Sequence, residues 1–353
     1  MDLVSLVERI GEAPTAALFG LLTGLTFGIA AQRSRFCLRA ATVEFARGRM
    51  EDKVSVWLLT FSTAVVWVQA AQLLGLMESA DARMMAVPGS WSGAVVGGLI
   101  FGTGMVLARG CSGRLLVLAA TGNLRSVVSG LIFAVVAQMS LSGILSPFRD
   151  RIASLWITDG GRNMDLLATI GLPSYSGLII GVLIAILALI LSRRNEIGAY
   201  RLIFASGVGF AVAMGWVLTY SLSQVAFDPV QIESATFTGP SAHTLMFFLD
   251  RNAILEFDVG LVPGVFIGAL VAAAWAKELK LQAFDDTITM RKAMIGAALM
   301  GFGGMLAGGC AIGAGVTGGS IFVGTAWAAL FFMWVGAMVT DYLVDQRAGA
   351  LAT

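Results

Sequence analysis

The sequence predicts an all-α integral membrane protein with about nine transmembrane helices, re-entrant half-helices and two repeats of inverted topology. Three observations carry this prediction: the composition, the recurrence of long apolar runs, and a Gly-Cys motif that occurs twice. Hydrophobic residues make up 57% of the 353 residues and charged residues only 13%, and the mean hydropathy is +0.84. These values lie far outside the range of soluble globular domains, so the lipid bilayer is the expected surroundings of the chain.

Continuous apolar runs of about 18 or more residues recur along the chain, and each is long enough to cross about 30 Å of hydrocarbon as a helix. We place the spans at 14–32, 54–77, 91–109, 125–145, 174–192, 202–220, 259–276, 292–308 and 320–341. Shorter apolar segments at 113–120, 243–255 and 311–318 cannot cross alone. We predict that they are re-entrant half-helices, which a membrane tolerates where the broken backbone lines a cavity.

The distribution of basic residues predicts the orientation. If the loop after the first span is cytoplasmic, most of the 23 lysines and arginines, Arg347 included, lie on the cytoplasmic side. This is the positive-inside pattern, so the N-terminus is expected outside and the C-terminus in the cytoplasm. The acidic start MDLVSLVERIGEA does not have the basic character of a signal peptide, and the first span is expected to be retained.

The sequence contains an internal repeat, and the predicted topology gives its two copies opposite orientations. Aligning 97–133 with 296–332 superposes the Gly-Cys step at residue 111 on the Gly-Cys step at residue 310. One copy runs inward to its cysteine and the other outward, so the two are inverted. We predict a first repeat at 1–173 with its outer loop, a connecting fifth span at 174–201, and a second repeat at 202–353. Inverted repeats with broken helices are typical of secondary transporters, whose substrate site lies where the repeats meet.

The Gly-Cys blocks have the chemistry of an anion site. Each joins a helix to a half-helix, whose N-terminus offers unpaired N–H groups and the positive end of its dipole. Glycine permits close approach to the backbone, and a thiol donates a weak hydrogen bond that allows release. Simple helix packing is the alternative for most glycines within the spans. The residues predicted to line the path are Cys37, Cys111, Cys310, Gly110, Gly113, Gly309, Gly313, Arg109 and Arg114.

Other polar residues are expected to have simpler roles. His243 is the only histidine, so we expect neither a metal site nor a cofactor. Glu256, Asp258 and Asp341 fall at predicted span ends and are expected at the interface, which leaves no buried carboxylate for proton coupling. The arginines around the first cysteine are expected mainly to set topology, with anion capture at the inner mouth as the alternative.

Three motifs resemble the YeeE/YedE family of bacterial membrane proteins. They are QRSRFCLRAA (Gln32 to Ala41), GTGMVLARGCSGRLLVLAATGNLRS (Gly102 to Ser126) and GGMLAGGCAIGAGVTG (Gly303 to Gly318), and each contains one of the three cysteines. The resemblance implies thiosulfate uptake across the bacterial inner membrane through a narrow path on which these cysteines contact the anion. It also implies a cytoplasmic partner, a TusA-like sulfur carrier or a rhodanese-like protein.

Alternatives remain at this point. The transported species is thiosulfate or a related ion such as sulfite or a selenium compound. A membrane thiol-disulfide oxidoreductase would use Cys111 and Cys310 as a redox pair, but the chain has no Cys-x-x-Cys. It also has no Gly-Lys-Ser/Thr step for a nucleotide-driven pump, and a net charge of +1 argues against nucleic acid as a partner. We therefore expect a transporter rather than an enzyme.

Transport of a dianion also requires a source of free energy. Moving two negative charges inward against about 100 mV, negative inside, costs roughly 4.6 kcal/mol. Either a coupling ion held by backbone carbonyls or chemical consumption of the sulfur in the cytoplasm would offset this cost.

Overall fold

The chain is built from helices, several of which are interrupted inside the apolar segments. The computed structural model describes residues 3–283 and 287–346. Its α-helices in chain order are α1 (Leu3–Ile10), α2 (Glu12–Ser34), α3 (Leu38–Ala46), α4 (Asp52–Leu73), α5 (Arg83–Ala86), α6 (Trp91–Leu107), α7 (Ser112–Ala120), α8 (Leu124–Leu141), α9 (Ser146–Ala153), α10 (Leu166–Ile170), α11 (Ser176–Arg194), α12 (Ala199–Ser223), α13 (Thr238–Leu249), α14 (Phe257–Trp275), α15 (Thr287–Leu306) and α16 (Gly324–Asp341). A π-helical segment, Ala311–Gly318, lies between α15 and α16.

Nine segments of the described chain are long and apolar enough to cross a membrane. They are Glu12–Ala46, Asp52–Leu73, Trp91–Ala120, Leu124–Leu141, Ser176–Arg194, Ala199–Ser223, Phe257–Trp275, Thr287–Gly318 and Gly324–Val344. The predicted class, an all-α multi-pass membrane protein, and the number of spans are confirmed. Three of the nine run through a break into a short helix, because the backbone turns there without leaving the apolar segment.

Four parts of the chain share one order of elements, which we call the broken units. Each consists of a long helix, a break, a short helix and a second long helix. The units are α2-α3-α4, α6-α7-α8, α12-α13-α14 and α15-(Ala311–Gly318)-α16. The predicted half-helices at 113–120 and 311–318 are observed, whereas the one predicted at 243–255 spans Thr238–Leu249 instead. The short helix α3 was not predicted, since the arginines around Cys37 have the composition of a loop.

The helix pairing fits the repeat that the sequence predicts. Helix α6 packs on α16, and α8 packs on α15. In the predicted alignment α6 corresponds to α15 and α8 to α16, so each of these contacts is the image of the other. The repeat boundaries and the inverted topology stay predictions, and the last part of the second repeat, 347–353, lies outside the described residues together with Arg347.

Glycine stripes bring the long helices into backbone contact. Gly24 of α2 faces Gly264 of α14, and a Cβ added to Gly24 would lie 2.9 Å from the Gly264 Cα. Small residues recur at the same spacing along both helices and let the two backbones pack closely. Within lipid the hydrophobic effect does not hold helices together, so this close van der Waals packing does. The packing role expected for glycines of α6 also holds at Gly97 and Gly102, which meet the backbones of α15 and α16. It does not hold at Gly308, which lies beyond the end of α15 with φ +76° and where an added Cβ would meet nothing within 4 Å.

Two carboxylates are buried within the apolar helices, contrary to the prediction that both lie at the interface. Asp341 is 0% exposed in α16 and accepts two hydrogen bonds from Arg47, at 2.9 and 3.1 Å. Asp258 is 2% exposed at the start of α14. Burial of an ionised carboxylate is costly unless it is paired, which is why each has a cationic or titratable partner. Sequence position alone placed both residues at span ends and gave no sign of the elements that cover them.

Candidate functional site

The three cysteines occupy one structural position, since each is the residue immediately before a short helix. Cys37 precedes α3, Cys111 precedes α7, and Cys310 precedes the π-helical segment. All three have extended backbone conformations, and all are free thiols. The Gly-Cys pattern predicted this position for Cys111 and Cys310. It did not predict it for Cys37, which was expected at the cytoplasmic end of an unbroken span.

The fourth broken unit has Phe237 where the others have cysteine. Phe237 is the residue before α13, and its backbone N–H donates to the Cys310 Sγ at 3.3 Å. Its ring lies close to α7, because a Cβ added to Gly113 would be 3.1 Å from that ring. The thiols of Cys37 and Cys111 lie close enough to interact with each other. The N-terminal ends of the four short helices therefore meet in the centre of the protein, and their dipoles give this centre a positive potential.

Cys310 is held by backbone donors on two sides. Its Sγ accepts from the N–H of Gly313 at 3.4 Å as well as from Phe237, and the Thr236 hydroxyl lies 3.9 Å away. The side chain is 0% exposed. Gly313 is required here, since a Cβ at that position would collide with the side chain of Thr236. The thiol proton of Cys310 is left free to point elsewhere, because the sulfur acts as acceptor in both backbone contacts.

A cavity of about 460 Å³, which we call the vestibule, lies beside Cys310. Gly308, Gly309, Thr236 and Thr238 are among the residues that line it. Two of its lining donors, Thr238 Oγ1 and Trp216 Nε1, are buried and have no hydrogen-bond partner in the described part of the chain. Buried donors without partners are rare in proteins, and an anion bound in the vestibule would satisfy them.

A second, much smaller cavity, which we call the inner pocket, adjoins Cys111. Gly113, Arg114, Phe27, Phe36 and Ile312 are among its lining residues, and it has no room for a water molecule. Arg114 Nη1 and Ser112 Oγ are buried without a partner among the described residues. Arg114 is also near enough to Cys37 to interact with it electrostatically. The predicted role of Arg114 near the first Gly-Cys turn thus has a geometric basis.

Phe237 separates the vestibule from the inner pocket. Its chain neighbours Thr236 and Thr238 line the vestibule, while its ring packs edge-on against Phe27 of the inner pocket with a centroid separation of 5.1 Å. Phe27 and Phe237 are each 1% exposed. The route from Cys310 to Cys111 is therefore closed by aromatic side chains, and passage of an anion requires at least one ring to move.

The remaining predicted path residues lie at the ends of the same breaks. Arg109 is exposed and has φ +57°, and its repeat counterpart Gly308 has a similar backbone with φ +76°. An arginine in this left-handed conformation carries strain that glycine avoids. Gly110 and Gly309 come immediately before the buried cysteines, where a Cβ on Gly309 would lie 2.9 Å from the Ala314 nitrogen. Backbone geometry thus accounts for Gly309, whereas a Cβ on Gly110 would make only ordinary contacts, the nearest at 3.4 Å from Leu115. Arg109 is not among the residues that line the inner pocket.

A polar cluster in the vestibule was missed by the sequence prediction, and we call it the outer cluster. It contains His243, Asp258, Glu233 and Arg83. His243 Nδ1 lies 2.8 Å from Asp258 Oδ2, and Arg83 lies 3.6 Å from Glu233, whose side chain is 12% exposed. The hydrogen bond with Asp258 raises the pKa of His243, and burial, with Asp258 nearby, raises the pKa of Glu233 well above its usual range. Among the described residues, no group of three or more His, Cys, Asp or Glu is arranged to hold a metal ion.

In the described part of the chain, nine segments that are long and apolar enough to cross a membrane surround a centre where four short helices begin, an arrangement typical of membrane transporters. A sequence-family model described as "Sulphur transport" matches residues 33–339. The chain belongs to this family of sulphur transporters, as its resemblance to YeeE/YedE proteins predicts, and it is a transporter rather than an enzyme.

Curated relatives agree with this assignment. The chain is 26% identical to the thiosulfate transporter TsuA of Escherichia coli (strain K12) over 95% of this chain and 97% of the relative. It is 28% identical to the thiosulfate transporter TsuA of Spirochaeta thermophila over 93% of this chain and 99% of the relative. A shorter match, 34% identical, covers 26% of this chain and 24% of the probable transporter YedE of E. coli.

Proposed function

We propose that the protein imports thiosulfate across the bacterial inner membrane, from the vestibule past Cys310, Cys111 and Cys37 to the cytoplasm. The observation that carries this proposal is the meeting of three thiols and four short-helix N-termini in the protein centre. The helix ends offer N–H groups and a positive potential to a dianion. The names of the two full-length relatives support thiosulfate as the substrate.

The thiols suit the terminal sulfur of thiosulfate. A thiol donates a weak hydrogen bond to a soft acceptor, and weak successive contacts allow an ion to leave each site for the next. Cys111 and Cys37 already lie close enough to interact, so an arriving anion would replace their interaction with each other. Arg114 supplies the charge that holds the dianion at this stage. We propose non-covalent relay rather than disulfide exchange, with Gly110, Gly113, Gly309 and Gly313 keeping side chains out of the way.

In the proposed orientation the N-terminus lies outside and the C-terminus in the cytoplasm. The vestibule then faces outward and the Cys37 end faces the cytoplasm. A TusA-like sulfur carrier or a rhodanese-like protein would receive the sulfur at the inner face and pull uptake forward. The test of this partner is purification of the tagged protein from a mild detergent extract, and failure to recover any such carrier would count against it.

The direct test of the function is uptake of radiolabelled thiosulfate by cells that lack other importers. Wild type is compared with Cys310→Ala and Cys111→Ala at matched membrane expression, and Gly130→Ala is the control because no atom lies within 4 Å of the added methyl. We expect uptake by wild type and the control and loss of uptake in both cysteine variants. Normal uptake by both cysteine variants would mean that the thiols have only a packing role. Absence of uptake by wild type would direct the search to sulfite or selenium compounds.

A further inference from the structure

The outer cluster places titratable groups on the surface that the anion must cross. Glu233 and Asp258 both line the vestibule, as do Thr236 and Gly309 next to Cys310. Asp258 Oδ1 is buried and has no hydrogen-bond partner in the described part of the chain, although Oδ2 pairs with His243. A carboxylate oxygen without a donor is costly in a buried position, and the described part of the chain supplies no donor to this atom.

The groups around Asp258 include both carboxylates and cations. Glu233 and Glu256 lie on the flanking loops, and Arg83 lies beyond Glu233. Helix α13 contributes His243, and the vestibule wall opposite carries Arg149 paired with Asp150. Of the other helices packed on α14, α2 carries Glu12, which accepts from the backbone of residues 227 and 228, and α7 carries Arg114 beside Cys37. Negative charge therefore predominates at Asp258 when all carboxylates are ionised.

Two opposing electrostatic effects act on a dianion in the vestibule. The helix ends and the free donors Trp216 Nε1 and Thr238 Oγ1 favour it, whereas ionised Glu233 and Asp258 repel it. Protonation of Glu233, whose pKa is raised by burial, removes part of this repulsion. Proton binding and anion binding are thermodynamically linked. If a bound proton raises the affinity for the anion by some factor, the bound anion raises the affinity for the proton by the same factor.

We propose that the His243, Asp258 and Glu233 cluster is a proton-binding site that loads together with the anion in the vestibule. The proposal rests on the proposed thiosulfate uptake and adds protons as a second ligand of the same site. Each proton taken from the outside offsets one negative charge of the dianion as it leaves the external solution. The cluster thus lowers the electrostatic cost of loading a dianion into the vestibule beside these carboxylates.

The test is calorimetric titration of thiosulfate into the purified full-length protein in detergent at several pH values between about 6 and 8, where thiosulfate stays a dianion. One linked proton changes Kd by about tenfold per pH unit, with tighter binding at low pH. Titrations in two buffers of different ionisation enthalpy count the protons directly. We expect proton uptake in wild type, and a smaller proton count with a weaker pH dependence of Kd for Glu233→Gln and Asp258→Asn.

A matched control is Asp228→Asn, which removes an exposed carboxylate from the same loop as Glu233. This variant should keep the wild-type proton count. Glu233→Gln serves as the second probe if Asp258→Asn does not fold, because Glu233 lies in a loop outside the helices. Thiosulfate binding with no proton uptake and a Kd independent of pH would overturn the proposal while leaving thiosulfate transport standing. Failure of wild type to bind or take up thiosulfate at any pH would instead remove the proposed function, and this inference with it.

Discussion

The ring of Phe237 packs edge-on against the ring of Phe27, with centroids 5.1 Å apart and an interplanar angle of 61°. The two residues come from different halves of the chain, one from α2 and one from the break before α13. They close the route between Cys310 and Cys111, because the inner pocket beneath them has no room for a water molecule. The proposed path through this centre therefore requires this aromatic pair to move.

Truncation of this pair should open the route. In Phe27→Ala, a polar thiol reagent added from the vestibule side should label Cys111 faster than in wild type, since the ring that shields it is gone. The measurement is the labelling rate by mass spectrometry. Phe210→Ala is the matched control, because Phe210 pairs with Trp67 at 5.6 Å on the exposed surface of the helices. Equal labelling rates in Phe27→Ala and wild type would mean that Phe27 does not close the path.

Removal of the Cys310 sulfur should affect stability as well as transport. In Cys310→Ala the N–H groups of Phe237 and Gly313 lose their acceptor in a buried place, at a cost of about 1–3 kcal/mol for each. Cys310→Ser keeps an acceptor and should lose less. Thermal midpoints in detergent, followed by size-exclusion chromatography, compare the two variants. A midpoint for Cys310→Ala equal to that of Cys310→Ser would show that these sulfur contacts do not stabilise the fold.

The glycine contact between α2 and α14 should be intolerant of any side chain. In Gly24→Ala the added methyl would meet the Val265 nitrogen at 2.8 Å, so the helices must separate at a cost of about 1–3 kcal/mol. Gly130→Ala in α8 meets open space and should stabilise its helix by about 0.5–1 kcal/mol. Opposite shifts of the thermal midpoint are expected. A rise for both variants would argue against close backbone packing at Gly24.

The pair formed by the exposed Arg47 and the buried Asp341 should be more sensitive than a surface pair. Asp341→Ala removes the buried acceptor of two hydrogen bonds from Arg47, and we expect a loss of about 1–3 kcal/mol, because the arginine left behind is 43% exposed and can reach water. Asp150→Ala, at a residue that is 60% exposed, should cost about 1 kcal/mol or less. The check is the thermal midpoint of each variant at matched detergent and salt. Equally small shifts in both variants would mean that the two hydrogen bonds from Arg47 contribute little to stability.

Stability should fall as pH rises above neutrality, and His243 should contribute to the fall. Its pKa is raised above the usual 6.5 by the hydrogen bond to Asp258, so its contribution is complete below that value and is lost as pH rises through the folded-state pKa. The raised pKa of Glu233 acts in the same direction. Thermal midpoints at about pH 6 and about pH 9 should differ less in His243→Gln than in wild type. The control variant Asp228→Asn should show the same difference between the two midpoints as wild type. If His243→Gln also shows the wild-type difference, His243 is not the titrating group.

Local features of the sequence were enough to predict the membrane fold and the breaks that precede two of the three cysteines. Hydropathy depends on composition over one helix length, so nine spans follow from the chain read in order. The Gly-Cys steps before Cys111 and Cys310 are likewise local, because glycine and a change in apolar pattern mark a break wherever they occur. The break before Cys37 has no such glycine. Its charged neighbours have the composition of a loop, so the short helix that follows was not predicted.

What only the tertiary structure decided is which of these breaks meet. The contact of Cys37 with Cys111, and that of Cys310 with Phe237 across 73 residues of sequence, depend on how the long helices pack. The same packing buries Asp258 beside His243 and brings Glu233 to the vestibule. The sequence by itself thus determined where the chain crosses the membrane and where it breaks. Burial and proximity between distant segments determined the chemistry, because they arise from helix packing and have no local signature in the chain.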